Sequence, residues 1–350
     1  MEKQIKKYYE NIDISRFFAA FLIVAIHTSF LKNVSARAHF FVMTICGLAV
    51  PLFFACSGFF LFSKFSYIDG KIEKSPKNMK MMLAYEKRLI IAYVFWSAVY
   101  FAAELLAALR SGGELKSFLL HFMKDFFMNG SEYHLWYVTC LIYAVPILYL
   151  LLRHMAVKHL LWFVPVLFVI GQTVEGYYWL DLPFMQTALL VKEAVGGLFQ
   201  VPFRAMTFAG VGIYFSQIKI KAPKAVLALL FAAFFTASVS ETFVISEYFA
   251  PDINVRYSMF LIAVIFCLFA LLVKGAKDEP KHKKATTFLR KTSSFIYFVH
   301  PAVLIGLNFV WGSLQETAFL YFFLACVLSF FAASIVVLLS KKIKLLEYIY

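Results

Sequence analysis

The sequence predicts an all-α fold, a polytopic membrane helix bundle of about ten transmembrane helices with both termini cytoplasmic. Three observations predict it. Hydrophobic residues make up 62% of the 350 and charged residues only 15%, whereas a soluble domain keeps roughly a quarter of its residues charged. Apolar runs long enough to cross a hydrocarbon core of about 30 Å recur along the whole chain. Lys and Arg concentrate in alternate loops, the positive-inside pattern of a multispanning protein.

Each span follows from the length criterion of about 20 apolar residues. The spans run Ile14–Leu31, Phe40–Phe62, Leu89–Leu109, His134–Leu152, Leu160–Val174, Ala194–Phe215, Ala225–Ser240, Tyr257–Val273, Ser294–Trp311 and Ala318–Leu339. The fifth and seventh are short. Lipid leaves helices as the way to satisfy the backbone. The first stretch follows a basic head, but no small-residue cleavage site comes after it, so it is expected to be a retained helix and not a signal peptide. The outer connections Arg110–Tyr133 and Glu175–Glu193 have room for interfacial helices, and Leu115–Met128 is amphipathic enough to lie on the membrane surface. One transmembrane domain over residues 1–350 is expected, with no soluble domain.

The loop charges test this arrangement. With the N-terminus in the cytoplasm, the inner segments hold 25 of the 34 basic residues, among them the clusters Lys64–Arg88 and Lys274–Lys291. The outer loops keep few and carry acids such as Glu114, Asp125, Glu132, Asp181, Glu247 and Asp252. The net charge of +14 is therefore a matter of topology, and no basic patch or tail points to nucleic acid. Cys46, Cys56, Cys140, Cys267 and Cys326 all fall in apolar runs without CxxC spacing, which indicates neither a metal site nor a disulfide framework. No internal repeat and no pair of matching broken helices is visible, which weighs against a secondary transporter.

Ionisable groups within a span are costly and need a reason. The first helix has two, Arg16 near its inner end and His27 eleven residues on. Eleven residues advance about 16 Å and close nearly three turns, so the two side chains share a face. That face can hold an anion at one point and handle a proton at another. Taken singly, Arg16 also reads as an anchor snorkelling to the headgroups, and His27 as a helix-to-helix hydrogen bond; taken together, the pair favours the functional reading. Glu104, Glu193 and Glu241 lie near outer helix ends and read as solvated.

The segment IDISRFFAAFLIVAIH resembles the signature of the membrane-bound acyltransferase 3 family, a basic residue, ten residues, then His on the first helix. Further segments resemble that family in order: VPLFFACSGFFLF (Val50–Phe62) with its Ser-Gly pair, Lys87-Arg88 opening the third helix, HLWYV (His134–Val138), and FIYFVHP (Phe295–Pro301). Around Arg204 the match is looser, with Ala205 and Met206 where Asn and Gly are usual. The chain is also similar to the membrane domain of the vancomycin-resistance serine racemases, without the racemase domain that would follow it.

The resemblance implies an O-acyltransferase of the bacterial cell membrane. It would move an acyl group, acetyl above all, from acyl-CoA to a hydroxyl of a cell-envelope carbohydrate or related acceptor, with no tightly bound cofactor. Arg16 and His27 would be catalytic, with His27 the general base. Arg16, Lys87 and Arg88 would hold the CoA phosphates at the inner face. Ser57, His134, Trp136, Arg204 and His300 are candidates for the substrate cavity. For Ser57 the close-packing role of a Ser-Gly pair stands beside that. For His134 and Trp136 the alternative is an interfacial aromatic anchor. His300 precedes Pro301, and either faces the same cavity as His27 or only bonds the carbonyl that the proline frees. The competing reading is a transporter or uptake module for a small solute such as serine, with His27 relaying protons.

Overall fold

The computed structural model describes residues 7–32, 34–112, 114–249, 258–279, 282–312 and 318–350. The predicted start of the eighth span at Tyr257, and the loop charges Lys3, Lys6, Asp252, Arg256 and Lys281, lie outside the described residues. The described chain is helical nearly throughout: α1 (Glu10–His27), α2 (Ala36–Cys46), α3 (Ala49–Phe62), α4 (Pro76–Ser111), α5 (Leu115–Met128), α6 (Trp136–His154), α7 (Leu160–Gly176), α8 (Met185–Val195), α9 (Thr207–Gln217), α10 (Lys224–Tyr248), α11 (Leu261–Lys274), α12 (Lys283–Val310) and α13 (Ala318–Leu339).

Within the described residues each predicted span contains helix, but the lengths differ in informative ways. Among the described residues, seven helical stretches are long and apolar enough to cross a membrane: Arg37–Phe62, Pro76–Ser111, Trp136–His154, Val157–Gly176, Lys224–Tyr248, Lys283–Val310 and Phe319–Leu339. The other three predicted spans correspond to helices that are charged, broken or short. Helix α1 carries Glu10, Asp13 and Arg16 within 18 residues. The sixth is a succession of a 3-10 turn (Gly196–Phe199), a π-helical turn (Val201–Met206) and α9. The eighth is α11, 14 residues long. The seventh span, read as short, is a 25-residue helix, α10.

Local chemistry explains the boundaries. Helix α4 begins thirteen residues before its predicted span because Ser75 caps it, accepting from Asn78 N at 3.3 Å, with Pro76 in the first turn. At 36 residues it is about 54 Å long, well beyond the hydrocarbon thickness. The second predicted span is one apolar stretch made of two helices, interrupted at Gly47-Leu48. Pro51 lacks an N–H and so cannot donate to the Gly47 carbonyl, which explains the interruption. Helix α5 occupies the predicted amphipathic stretch, and none of its residues is buried. Between α3 and α4 lies a small antiparallel hairpin, β1 (Tyr67–Ile68) and β2 (Lys71–Ile72), closed by Asp69-Gly70. The Asp-Gly pair is the turn chemistry of such hairpins.

The described residues fall into two compact units. The first comprises the chain up to Ser57, Ile218–Leu346 and Tyr350; the second comprises Gly58–Gln217 and Glu347–Ile349. The first unit thus contains α1, α2, the first part of α3 and α10–α13. The second contains the rest of α3, the hairpin and α4–α9. In the first unit α1 packs along α12, α12 along α13 and α10 along α11. In the second, α7 packs on α9, and α6 packs on α4 and on the π-helical turn.

Glu241, read as solvated, is engaged. It accepts from Met259 N at 2.9 Å and from Ser258 Oγ, tying α10 to the start of α11.

Candidate functional site

Helices α1 and α12 run parallel, clasped along their length by polar contacts. Ahead of α1, Tyr8 pairs its backbone with Lys277. Glu10 then accepts from Lys277 Nζ at 3.1 Å and from His282 N at 2.8 Å. These bonds hold the Glu10 carboxyl below its ordinary pKa, the His282 N–H contributing most. Asp13, buried, faces Arg290 with Oδ2 3.6 Å from Nη1. Arg16 donates through Nη2 to Ser294 Oγ at 3.3 Å, and its guanidinium lies 5.6 Å from the centre of the Phe53 ring on α3.

At the far end of α1 the imidazole of His27 stacks on that of His300, with ring centres 5.2 Å apart and planes 26° from parallel. Arg16 and His27 thus both face α12, as the eleven-residue spacing requires. His27 is the last residue of α1, where Thr28 closes the helix by bonding Val24 O at 3.0 Å. The predicted first span continued to Leu31. The chain turns instead, with Ser29 and Leu31 at positive φ, so His27 sits at a helix end and not inside a longer helix.

His300 is wholly buried. Its Nδ1 lies 2.8 Å from Tyr297 O and 3.1 Å from Ile296 O. Tyr297 is four residues before Pro301, so its carbonyl is the one the proline leaves without a helical N–H. Both partners are acceptors, so Nδ1 carries the hydrogen and, in the neutral ring, Nε2 carries the lone pair. The two readings of His300 therefore hold together. It bonds the freed carbonyl, and it lies against His27.

The remaining predicted residues belong to the second unit, apart from Ser57 at the end of the first. Lys87 and Arg88 are exposed on α4. His134 is buried just before α6, its ring edge-on to Tyr100 at 5.1 Å and to Tyr133 at 5.5 Å. That is a core position and not that of a surface anchor, while Trp136 is half-buried at the first position of α6. The turn before His134 depends on Gly130, whose φ is +92°. A Cβ there would stand 2.4 Å from Trp136 N.

Arg204 lies on the π-helical turn and donates to Glu175 Oε2 through Nε at 3.3 Å and Nη2 at 3.1 Å. Lys192 Nζ is 3.4 Å from Glu175 Oε1, which also accepts from Gln200 Nε2. By its position in the sequence Glu175 opens an outer connection. It is instead the buried hub of this cluster, at the end of α7. The available signal was a carboxylate directly after an apolar run, a costly place for one without a partner.

Residues 9–338 match the family described as the acyltransferase domain, acyltransferase 3. The chain belongs to the acyltransferase 3 family. Among curated proteins it is similar to two amino-acid racemases of Enterococcus faecalis, 25% identical over 95% of this chain and 24% over 96%. It is also similar to a serine/alanine racemase of Enterococcus gallinarum, 25% identical over 86% of this chain. It spans less than half of each of these relatives, 47%, 46% and 42% of their lengths. No solved structure matches it. As an acyltransferase 3 member with seven helices among the described residues suited by length and composition to crossing a membrane, it is a multi-pass membrane protein.

The family's Ser-Gly pair has a packing reason here. A Cβ on Gly58 would lie 2.2 Å from Ala209 O, so α3 and α9 meet backbone to backbone at that point. Ser57, beside it, is partly buried.

Proposed function

We propose that this acyltransferase 3 member transfers an acyl group, acetyl in the simplest case, from acyl-CoA to a hydroxyl of a cell-envelope carbohydrate or related acceptor in a bacterial cell membrane. The observation that carries the reading is the parallel α1–α12 pair, with Arg16 on Ser294 at one level and His27 stacked on His300 at another. With the basic loops in the cytoplasm, Arg16 is at the inner end, where CoA arrives. Its guanidinium suits a phosphate. His27 takes the proton from the acceptor hydroxyl as its oxygen attacks the thioester carbonyl, and CoA leaves as the thiolate, which the protonated imidazole can then quench.

The test is transfer of label from acetyl-CoA in membranes containing His27→Ala. The variant is expected to insert at wild-type level and to lose activity by roughly 100- to 10,000-fold, the range of a removed general base. Activity equal to wild type would remove His27 from the chemistry.

A second reading rests on the relatives' names. A membrane unit that handles an amino acid would take up labelled serine into liposomes without any CoA, and such uptake would replace the acyl-transfer reading.

A further inference from the structure

We propose that Arg290 is a second guanidinium for the phosphate groups of the donor, kept in place by Asp13 one helical turn from Arg16. The proposal rests on the acyl-CoA reading above and assigns the donor a partner on α12, outside the motifs by which the family is recognised in this chain.

The spacings on the two helices place these groups together. Asp13 and Arg16 are three residues apart on α1, and Arg290 and Ser294 are four apart on α12, so each pair lies on one helix face a turn apart. Asp13 meets Arg290 and Arg16 meets Ser294. The two guanidinium groups therefore sit at neighbouring levels of one helix seam, separated along it by about 5 Å. One donor molecule with a diphosphate can engage both.

Charge and hydrogen-bonding capacity point the same way. The cluster holds two guanidiniums against one carboxylate, and Asp13 is only 8% exposed. A positive excess beside a buried carboxylate is costly unless an anion completes it. Among the described residues, Arg16 Nε is buried without a hydrogen-bond partner, leaving a donor for an incoming oxygen. Asp13 Oδ1 is buried in the same condition, so the carboxylate is not committed to a bidentate fork. The Asp13–Arg290 separation of 3.6 Å is longer than a hydrogen bond. Asp13 therefore attracts Arg290 without locking it. The Arg290 side chain is 42% exposed, which leaves it free to turn its fork to a phosphate.

The experiment is calorimetric titration of CoA into the purified full chain in detergent at fixed ionic strength, for wild type, Arg290→Gln, Arg290→Lys and Lys284→Gln. Lys284 is an exposed cation at the same end of α12 and controls for unspecific attraction. Arg290→Gln is expected to raise the Kd of CoA roughly tenfold to a hundredfold, the value of hydrogen bonds to a charged group. Arg290→Lys should raise it by less, because it keeps the charge and loses the fork. Lys284→Gln should change it by less than about threefold. An Arg290→Gln Kd within that last range, or a Lys284→Gln loss as large as that of Arg290→Gln, overturns the proposal. If Arg290→Gln does not elute as folded protein, an unchanged Kd in Arg290→Lys overturns it. Absence of CoA binding by wild type is a different result: it removes the donor reading itself and this site with it.

Discussion

His300 separates two contributions that one substitution would confuse. Its Nδ1–H serves the carbonyls of Tyr297 and Ile296 at 2.8 and 3.1 Å, while its ring covers His27. Tyr297 O is the carbonyl that Pro301 deprives of its helical donor. Asparagine can present an N–H from nearly the position of Nδ1 but has neither the ring nor Nε2. Alanine has none of these. His300→Ala should therefore leave a buried carbonyl unserved, at about 1–3 kcal/mol, with a further loss for the cavity in a wholly buried site. His300→Asn should retain most of the hydrogen-bond share. Thermal unfolding of both variants in one detergent, followed with a thiol- or tryptophan-based signal, measures the difference. Acyl transfer measured in parallel should fall in both, because each removes the ring against His27. If Asn costs as much stability as Ala, the carbonyl bond is not what His300 contributes. Wild-type transfer by His300→Asn would refute a part for the stacked ring in the chemistry.

Two further substitutions test the second unit. Glu175→Ala removes the buried partner of Arg204 and Lys192 and should destabilise by about 3–5 kcal/mol, as when one member of a buried pair is deleted; replacing Glu175 and Arg204 together by Met should recover much of that in the same unfolding assay, and a loss under about 0.5 kcal/mol for the single variant would show that the cluster is not structurally committed. Gly58→Ala would drive a methyl to 2.2 Å from Ala209 O and should cost about 1–3 kcal/mol by overpacking, so an unchanged unfolding temperature would refute the close approach of α3 and α9.

Much of the fold was legible because lipid restricts the choices. An apolar run of sufficient length must be helix in a bilayer, so all ten predicted segments are helical in the described residues. Boundaries were harder. Ser75 and Pro76 start α4 well ahead of its apolar part, and hydropathy does not register a cap. Pro51 interrupts a stretch that is uniformly apolar, and the Asp69-Gly70 hairpin sits in a loop whose basic charge speaks for topology and not for a turn.

The site divides in the same way. That Arg16 and His27 share a helix face follows from the helical period without any neighbour. That Pro301 frees a carbonyl on α12 follows likewise from its missing N–H. What occupies that face, and what serves that carbonyl, was decided by tertiary structure. His300, more than 270 positions from His27, became its stacking partner. Asp13 and Arg290 became neighbours across two parallel helices, and Glu175 became a buried hub instead of a loop acid. The physical reason is one of range. Periodicity and backbone satisfaction act within a helix and can be read along the chain. The pairing of buried charges depends on which helices pack together, and a buried charge is tolerable only beside a partner that the fold brings to it.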